Sequence, residues 1–157
     1  MNLTIEPKTN LTGEVKVPGD KSISHRAVML GSLAQGETEI EGFLTGADCL
    51  STVHAFEDMG IKIEGVGTEN MVVHGQGLNG LEEPDNVLDL GNSGTTTRLM
   101  LGVLAGQDFY SVATGDDSLR QRPMARVTDP VGAMGGKYFG RDGANLLPIT
   151  VLGGQDL

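Results

Sequence analysis

Two glycine-containing segments place basic and hydroxyl side chains where a loop runs into a predicted helix. They are PGDKSISHR (18–26) and LGNSGTTTR (90–98). The first N–H groups of a helix have no partner within it, and the helix dipole adds partial positive charge there. Glycine also lets a ligand come close to the backbone. Both segments therefore predict binding of a phosphate or carboxylate group.

The side chains in these segments suit an anion. Lys21 supplies a point charge, and the guanidinium of Arg26 can hold an anion through two N–H groups. Hydroxyl donors are present at Ser22, Ser93, Thr95 and Thr96. Alternatively, the polar residues serve only as helix N-caps, at Asp20, Ser22, Asn92 and Ser93. Capping explains these residues but not the basic residue near each of them.

A third basic segment, GDDSLRQRPMARV (115–127), surrounds a predicted helix start at Pro123. Arg122 is expected to face whatever anion lies at that helix N-terminus. The alternative is a surface cation paired with Asp116 or Asp117. The sequence GDKS is similar to the end of a nucleotide-binding P-loop, but that motif requires glycine where Asp20 stands.

The charge balance limits the kinds of partner. The chain has 11 Lys and Arg against 21 Asp and Glu, a formal net charge of −10, which argues against nucleic acid and against an anionic membrane surface. Six of the cations fall in the three segments above. No apolar run is long enough to span a membrane, and the N-terminus lacks the pattern of a secretory signal. With one cysteine, Cys49, the chain cannot form an internal disulfide, and we expect a cytoplasmic protein.

The three histidines show no spacing typical of metal ligands. His25, His54 and His74 are expected to be structural or exposed, with the strongest case for a functional role at His25 because of its neighbours. We therefore predict no metal and no cofactor. Cys49 is expected to be a small buried residue.

The hydrophobic pattern predicts a repeat of about 70 residues. The segment LGSLA (30–34) corresponds to LGVLA (101–105), and Ser22 corresponds to Ser93. Each copy predicts the order β-α-β-α-β-β. The predicted elements are strands 14–17, 38–43, 61–66, 70–75, 87–90, 108–114, 137–141 and 148–153, and helices 22–35, 47–60, 92–106 and 123–136. Pro130 is expected to kink or restart the last helix, and LTIEP (3–7) is a further plausible strand.

Three motifs together resemble one enzyme family. PGDKSISHR (18–26), GNSGTTTR (91–98) and RPM (122–124) follow the order of the 5-enolpyruvylshikimate-3-phosphate synthases, and the resemblance covers essentially the whole chain. An alternative is a relative of the UDP-N-acetylglucosamine enolpyruvyl transferases, which share the repeat, although their first motif resembles K-N rather than D-K-S-x-S-x-R.

The resemblance implies an α/β (α+β) fold, an inside-out α/β barrel with three βαβαββ units in each of two domains. Residues 14–80 would form the first unit and 81–157 the second, while 1–13 would be a strand of the other domain. The third unit and the second domain would be missing. The rest of the same enzyme is thus an expected partner, and the chain alone is expected to be inactive.

The implied reaction transfers the carboxyvinyl group of phosphoenolpyruvate to the 5-hydroxyl of shikimate 3-phosphate and releases phosphate. By motif position, Ser22 and Arg26 would bind shikimate 3-phosphate, and Gly94 and Arg122 would bind phosphoenolpyruvate. Lys21 would contact both substrates and act catalytically. Glyphosate is a further ligand that the resemblance suggests. A different class of function, a non-catalytic module that binds phosphorylated metabolites, stays open.

Overall fold

The computed structural model describes residues 3–7, 9–155 and 157 and mixes helices with two β-sheets. The first sheet has three antiparallel strands in the order β1-β3-β2. Its half of the chain contains α1 (Lys21–Leu33), β1 (Gln35–Glu41), α2 (Ala47–Glu57), β2 (Lys62–Glu64) and β3 (Asn70–Gln76).

The second half builds a four-stranded sheet in the order β4-β5-β7-β6. Strand β4 runs parallel to β5, and the other neighbours are antiparallel. A 3-10 turn (Leu119–Gln121) and an irregular helical turn (Arg141–Ala144) connect its elements. The elements are β4 (Leu88–Asp89), α3 (Gly94–Ala105), β5 (Tyr110–Thr114), α4 (Ala125–Ala133), β6 (Lys137–Gly140) and β7 (Leu146–Leu152).

The two halves share one topology, as the sequence repeat predicts. The order β1-β3-β2 in the first sheet matches β5-β7-β6 in the second. Each half also places one helix before its first antiparallel strand and one after it. The architecture is α+β, as expected, while the unit boundaries at residues 14, 80 and 81 stay predictions. Among the helices of the described residues, none is long and apolar enough to cross a membrane.

One predicted strand, at residues 14–17, is wrong for this structure. The segment has no regular secondary structure, and its valines Val15 and Val17 are 83% and 74% exposed. A strand requires a hydrogen-bonded neighbour, and this segment pairs with no strand of the described residues. Residues 3–7 also lack regular secondary structure here, and because the strand expected over 1–13 would belong to a second domain, it stays a prediction. Residues 1, 2 and 8, which belong to the predicted strand region 1–13, lie outside the described residues.

The start of the last helix also differs from the prediction. Helix α4 begins at Ala125, with Met124 as its N-cap residue, and not at Pro123. The carbonyl of Pro123 instead accepts a hydrogen bond from Arg98. Pro130 lies inside α4, which continues through it as one helix, so no restart occurs.

Helix α1 lies unusually close to the first sheet. A Cβ added to Gly75 on β3 would lie 2.1 Å from the carbonyl oxygen of Gly31 on α1 and 2.4 Å from that of Ala34. Any side chain at position 75 would therefore push the helix away. The corresponding helix position in the second half, Gly102, has nothing within 4 Å of an added Cβ.

The repeat positions Leu30 and Leu101 have opposite environments. Leu101 on α3 is 0% exposed, whereas Leu30 on α1 is 67% exposed. Ile23, two turns before Leu30 on the same face of α1, is 69% exposed. Helix α3 is in contact with α1, α2 and α4, while the outer face of α1 has no neighbour among the described residues. The same local sequence thus lies in the core in one copy and at the surface in the other.

This difference predicts unequal costs for one substitution. We expect Leu101→Ala to lower the free energy of unfolding by about 2–5 kcal/mol, because it removes buried methyl groups and leaves a cavity. Leu30→Ala, the matched control, should change it by less than about 0.5 kcal/mol. Urea unfolding followed by circular dichroism measures both. Equal losses would show that Leu30 is covered in solution.

Candidate functional site

The N-terminal turns of α1, α2 and α3 meet at one place. Asp20 caps α1, its Oδ1 accepting the N–H of Ile23 at 2.8 Å. Ser93 caps α3, its Oγ accepting the N–H of Thr96 at 3.2 Å. The carboxylate of Asp48, in the first turn of α2, pairs with Lys21 in the first turn of α1. The meeting of three helix starts concentrates unpaired N–H groups and positive dipole ends.

The first predicted group, Lys21, Ser22 and Arg26, lies on the first two turns of α1. Nη1 of Arg26 donates to the carbonyl oxygen of Ser22 at 3.1 Å, and both residues are exposed. The side chain of Lys21 is 48% exposed even though it pairs with Asp48. These three residues, which we call the α1 cluster, therefore present an ammonium, a hydroxyl and a guanidinium to solvent on one helix end.

The second group forms around Gly94, where α3 begins. A Cβ built on Gly94 would lie 3.1 Å from Nη1 of Arg98 and 3.3 Å from Nη1 of Arg122. Nη1 of Arg122 donates to the carbonyl oxygen of Asn92 at 3.2 Å, and Nη2 contacts Ser118 Oγ at 3.3 Å. Gly94, Arg98 and Arg122 form what we call the α3 cluster.

The position of Arg122 corrects one prediction. Arg122 was expected at the N-terminus of the helix that follows Pro123, but it lies at the N-terminus of α3 instead. The alternative, a direct pair with Asp116 or Asp117, is also wrong, since Arg120 pairs with Asp117. Asn92 lies between Arg122 and Asp116, since its Nδ2 donates a hydrogen bond to Asp116 at 2.6 Å. The long arginine side chain reaches back across the turn.

The α3 cluster carries more positive charge than its surroundings neutralise. Burial, and then the nearby charges of Arg126 and Arg122, lower the pKa of the Arg98 guanidinium. Nη2 of Arg98 donates to the carbonyl of Pro123 at 3.1 Å, and its buried Nε has no hydrogen-bond partner among the described residues. An anion bound here would relieve repulsion among three guanidinium groups.

The neighbouring carboxylate is held in its charged form. A hydrogen bond from Asn92, and then one from the backbone N–H of Leu119 at 2.7 Å, lower the pKa of Asp116. The side chain of Asn92 therefore holds an acidic and a basic residue apart at the edge of the α3 cluster.

A half-open cavity elsewhere in the molecule is unsuited to an anion. Its volume is about 420 Å³, and its walls are formed by Glu57, Asp58, Asp85, Asn86, Val87 and Asp89. Four carboxylates would repel a phosphate group. The electrostatics favour the open surface formed by the two clusters.

The remaining residues singled out by the sequence have structural positions. Cys49 is buried, as expected. His54 is exposed beside Glu57, and His74 lies between Glu37 and Glu64. His25 is fully buried. In the part of the chain that the structure describes, no three His, Cys, Asp or Glu residues lie close enough together to hold a metal ion.

Sequence reasoning missed two residues of the site. Asp48, which pairs with Lys21, is not among the residues that the sequence singles out, and Asn92 is singled out only as a helix cap. An acidic residue in a helix first turn is ordinary in itself. Only the packing of α2 against α1 makes Asp48 a neighbour of Lys21.

Repeated α+β units with basic side chains at converging helix N-termini define an anion-binding protein built from a duplicated unit. The model of the EPSP synthase (3-phosphoshikimate 1-carboxyvinyltransferase) family matches residues 5–157. The chain belongs to this family.

Similar proteins agree in sequence and in fold. The chain is 57% identical over 155 residues to the 3-phosphoshikimate 1-carboxyvinyltransferase of Desulforamulus reducens, covering 99% of this chain and 36% of that protein. It is 60% identical to the enzyme of that name from Pelotomaculum thermopropionicum, with 98% and 36% covered. A solved structure of EPSP synthase from Acinetobacter baumannii has a TM-score of 0.87 at 46% identity, covering 91% of this chain and 32% of that one. The chain thus spans about a third of the length of these relatives.

Two glycines of α3 provide a matched test of the site. Gly94→Ala would place a methyl group against Arg98 and Arg122, so we expect inorganic phosphate to bind at least about fivefold more weakly. Gly102→Ala meets open space and should leave phosphate binding unchanged while it stabilises the fold by about 0.5–1 kcal/mol. Calorimetric titration measures the affinity. Unaltered binding by Gly94→Ala would remove the α3 cluster from the site.

The burial of His25 predicts a pH dependence of stability. Burial, and then the charge of Lys21, lower the pKa of His25 from 6.5. The unfolded chain therefore binds this proton more readily than the folded one, and the stability from neutral His25, complete above pH 6.5, declines as the pH falls below it.

We expect His25→Asn to lose less stability than the original chain between about pH 7 and pH 5.5. Urea unfolding at each pH measures it, with the exposed His54→Asn as control. Parallel curves for the original chain and His25→Asn would contradict the assignment.

Proposed function

We propose that this chain forms part of the substrate-binding surface of a 3-phosphoshikimate 1-carboxyvinyltransferase. That enzyme transfers the carboxyvinyl group of phosphoenolpyruvate to the 5-hydroxyl of shikimate 3-phosphate and releases phosphate. The single observation that carries the proposal is the meeting of the α1 and α3 clusters at adjoining helix N-termini. Two phosphorylated, acidic substrates require two such cation groups side by side.

The α1 cluster suits the larger substrate. Arg26 and Ser22 are exposed on successive turns of α1, and we assign both to shikimate 3-phosphate. A phosphate there would accept hydrogen bonds from the guanidinium and the hydroxyl while it lies at the positive end of the helix.

The α3 cluster suits phosphoenolpyruvate. The absence of a side chain at Gly94 lets Nη1 of Arg98 and Nη1 of Arg122 approach the start of α3, at 3.1 and 3.3 Å from where a Cβ would lie. We assign Gly94 and Arg122 to phosphoenolpyruvate, with Arg122 on its phosphate. Asn92 would hold the Arg122 guanidinium in place through the carbonyl and amide oxygens that accept its hydrogen bonds.

Lys21 is our candidate for the catalytic residue, because it pairs with Asp48, whose carbonyl oxygen lies 3.3 Å from Oγ1 of Thr96 on α3. Its ammonium has three N–H donors, and the pair with Asp48 uses one. The others can face both substrates. The same group could pass a proton during the reaction.

The reaction depends mainly on holding the two substrates close together in the right orientation. The 5-hydroxyl oxygen gives up its proton and adds to the substituted carbon of the enol, while the methylene carbon of the enol takes up a proton, which gives a tetrahedral intermediate. The bond between that carbon and the phosphate oxygen then breaks, phosphate leaves with the electron pair, and the new methyl group gives up a proton so that the vinyl group is restored. Fixed cations around both anions would lower the barrier by orientation and electrostatic stabilisation. We also propose glyphosate, another small anion, as a ligand of these clusters.

The rest of the enzyme is proposed to cover apolar surface that this chain exposes. Ile23 and Leu30 on α1 are 69% and 67% exposed. We propose residues 14–80 and 81–157 as two of three units of one domain, residues 1–13 as a strand of the second domain, and the cytoplasm as the location. Complete turnover then needs residues beyond these clusters.

A non-catalytic module that binds phosphorylated metabolites is the second candidate, because the chain spans about a third of its relatives' length. The 157-residue chain alone is expected to bind both substrates without turnover in either role. Mixing it with the remaining two thirds of a related 3-phosphoshikimate 1-carboxyvinyltransferase distinguishes the two roles: phosphate release supports the first role, and binding without release supports the second.

Arg26→Ala tests the assignment of the α1 cluster. Loss of a charged hydrogen bond should weaken shikimate 3-phosphate binding by roughly 1.5–3 kcal/mol, measured by NMR titration of the isotope-labelled chain. Lys137→Ala, which removes the same charge from the exposed edge strand β6, serves as control.

Two results would contradict the assignment. One is an unchanged dissociation constant in Arg26→Ala. The other is an equal loss in Lys137→Ala, which would mean that the protein's total charge, and not the α1 cluster, governs binding.

A further inference from the structure

A continuous line of buried polar side chains connects α1, α2 and α3 behind the two clusters. Nδ1 of His25 lies 2.7 Å from Oγ1 of Thr52, which lies 2.7 Å from Oγ1 of Thr96. Oγ1 of Thr96 lies 2.6 Å from Oγ of Ser93. All four side chains are 0% exposed. We call them the buried network.

The buried network ends beside the clusters. His25 follows Lys21 by one helical turn on α1, and Ser93 immediately precedes Gly94 on α3. Oγ1 of Thr96 also lies 3.3 Å from the carbonyl oxygen of Asp48, the residue that pairs with Lys21. Each end of the buried network therefore lies on a helix that carries one of the two clusters.

Hydrogen bonds make this attachment directional, unlike apolar packing. Apolar side chains between helices allow small sliding motions, whereas a bond of 2.6–2.7 Å between hydroxyl groups is lost when the helices shift. Buried polar groups that lose their partners are costly, so displaced arrangements of α1, α2 and α3 are disfavoured. The network thus fixes the spacing between the α1 and α3 clusters.

The proton positions follow from what surrounds His25. Its buried Nε2 has no hydrogen-bond partner among the described residues. A proton on Nε2 would be a buried donor without an acceptor, whereas a proton on Nδ1 is donated to Thr52. Thr52 then donates to Thr96, and Thr96 donates to Ser93. We therefore assign His25 a neutral ring with its proton on Nδ1.

We propose that the His25–Thr52–Thr96–Ser93 network is a positioning device that sets the distance between the two anion-binding clusters, and with it the contact between the two bound substrates, which the coupling of their binding measures. This inference rests on the proposed function. His25, Thr52 and Thr96 are positioning residues here, since none of them touches either cluster's solvent-facing surface. This corrects the expectation that Thr96 donates to an anion, because its hydroxyl is fully buried and donates to Ser93 Oγ instead.

The test uses two adjacent threonines of α3. Thr96→Val removes a hydroxyl from the network. Thr97→Val is the matched control: Thr97 is equally buried, but its hydroxyl donates to the carbonyl of Ser93 within the same helix, at 2.8 Å. Dissociation constants for shikimate 3-phosphate are measured with and without saturating phosphoenolpyruvate. Their ratio is the coupling factor.

In the original chain and in Thr97→Val we expect a coupling factor of about 5 or more. In Thr96→Val and His25→Leu it should fall toward one, while each substrate alone binds within about twofold of its original affinity, since the clusters themselves are intact. His25→Asn should restore the coupling, because its amide nitrogen can take the place of Nδ1. A coupling factor of one in the original chain, or equal coupling in Thr96→Val and Thr97→Val, overturns the proposal.

A second measurement does not depend on substrates. Nitrogen-15 NMR of the histidine rings should show His25 protonated on Nδ1, the less common neutral form, in the absence of any ligand. A proton on Nε2 would overturn the direction of the network. Failure of either substrate to bind, with the Nδ1 form present, would refute the proposed function but keep the network as drawn.

Discussion

The unpaired N–H groups at helix starts are the constraint on which the rest of this structure depends. Each helix begins with N–H groups that it cannot satisfy itself, and this fold brings three such beginnings together. Side-chain caps at Asp20 and Ser93 satisfy part of the requirement, and the carboxylate of Asp48 compensates part of the charge. The charge that remains at these helix starts is positive and faces solvent, although the net charge of the chain is −10.

The acidic surroundings and the basic clusters work together. Asp48 and Asp116 offset only part of the positive charge of the anion-binding surface. Each also holds a neighbouring cation in place: Asp48 holds Lys21 directly, and Asp116 holds Arg122 through Asn92. A cation held by one carboxylate keeps the remaining N–H groups pointed in a set direction. Since positioning rather than total charge gives an anion site its selectivity, a strongly acidic protein can still present a surface that suits anions.

Sequence reasoning succeeded where the determinants are local. Apolar spacing and the caps at Asp20 and Ser93 were sufficient for α1 and α3, and the repeat anticipated the shared strand order of the two sheets. It failed for residues 14–17, whose alternating pattern predicts a strand but cannot supply a partner strand. It put Arg122 at the wrong helix, because the preference of proline for a first turn is local while an arginine side chain reaches several residues back. The pair Lys21–Asp48 depends on how α1 and α2 pack, which no spacing along the chain reveals.

The contact between Gly75 and Gly31 has a consequence for how far the two halves can be interchanged. In the first half a Cβ on Gly75 would meet the carbonyl oxygen of Gly31, and a Cβ on Gly31 would lie 3.2 Å from Cβ of Thr38 on β1. The equivalent helix position in the second half, Gly102, has nothing within 4 Å of an added Cβ. The two copies therefore share a topology but differ in how tightly this helix position is packed. A segment that fits α3 would meet a tighter environment if it were transplanted into α1, so the duplicated halves are not interchangeable parts.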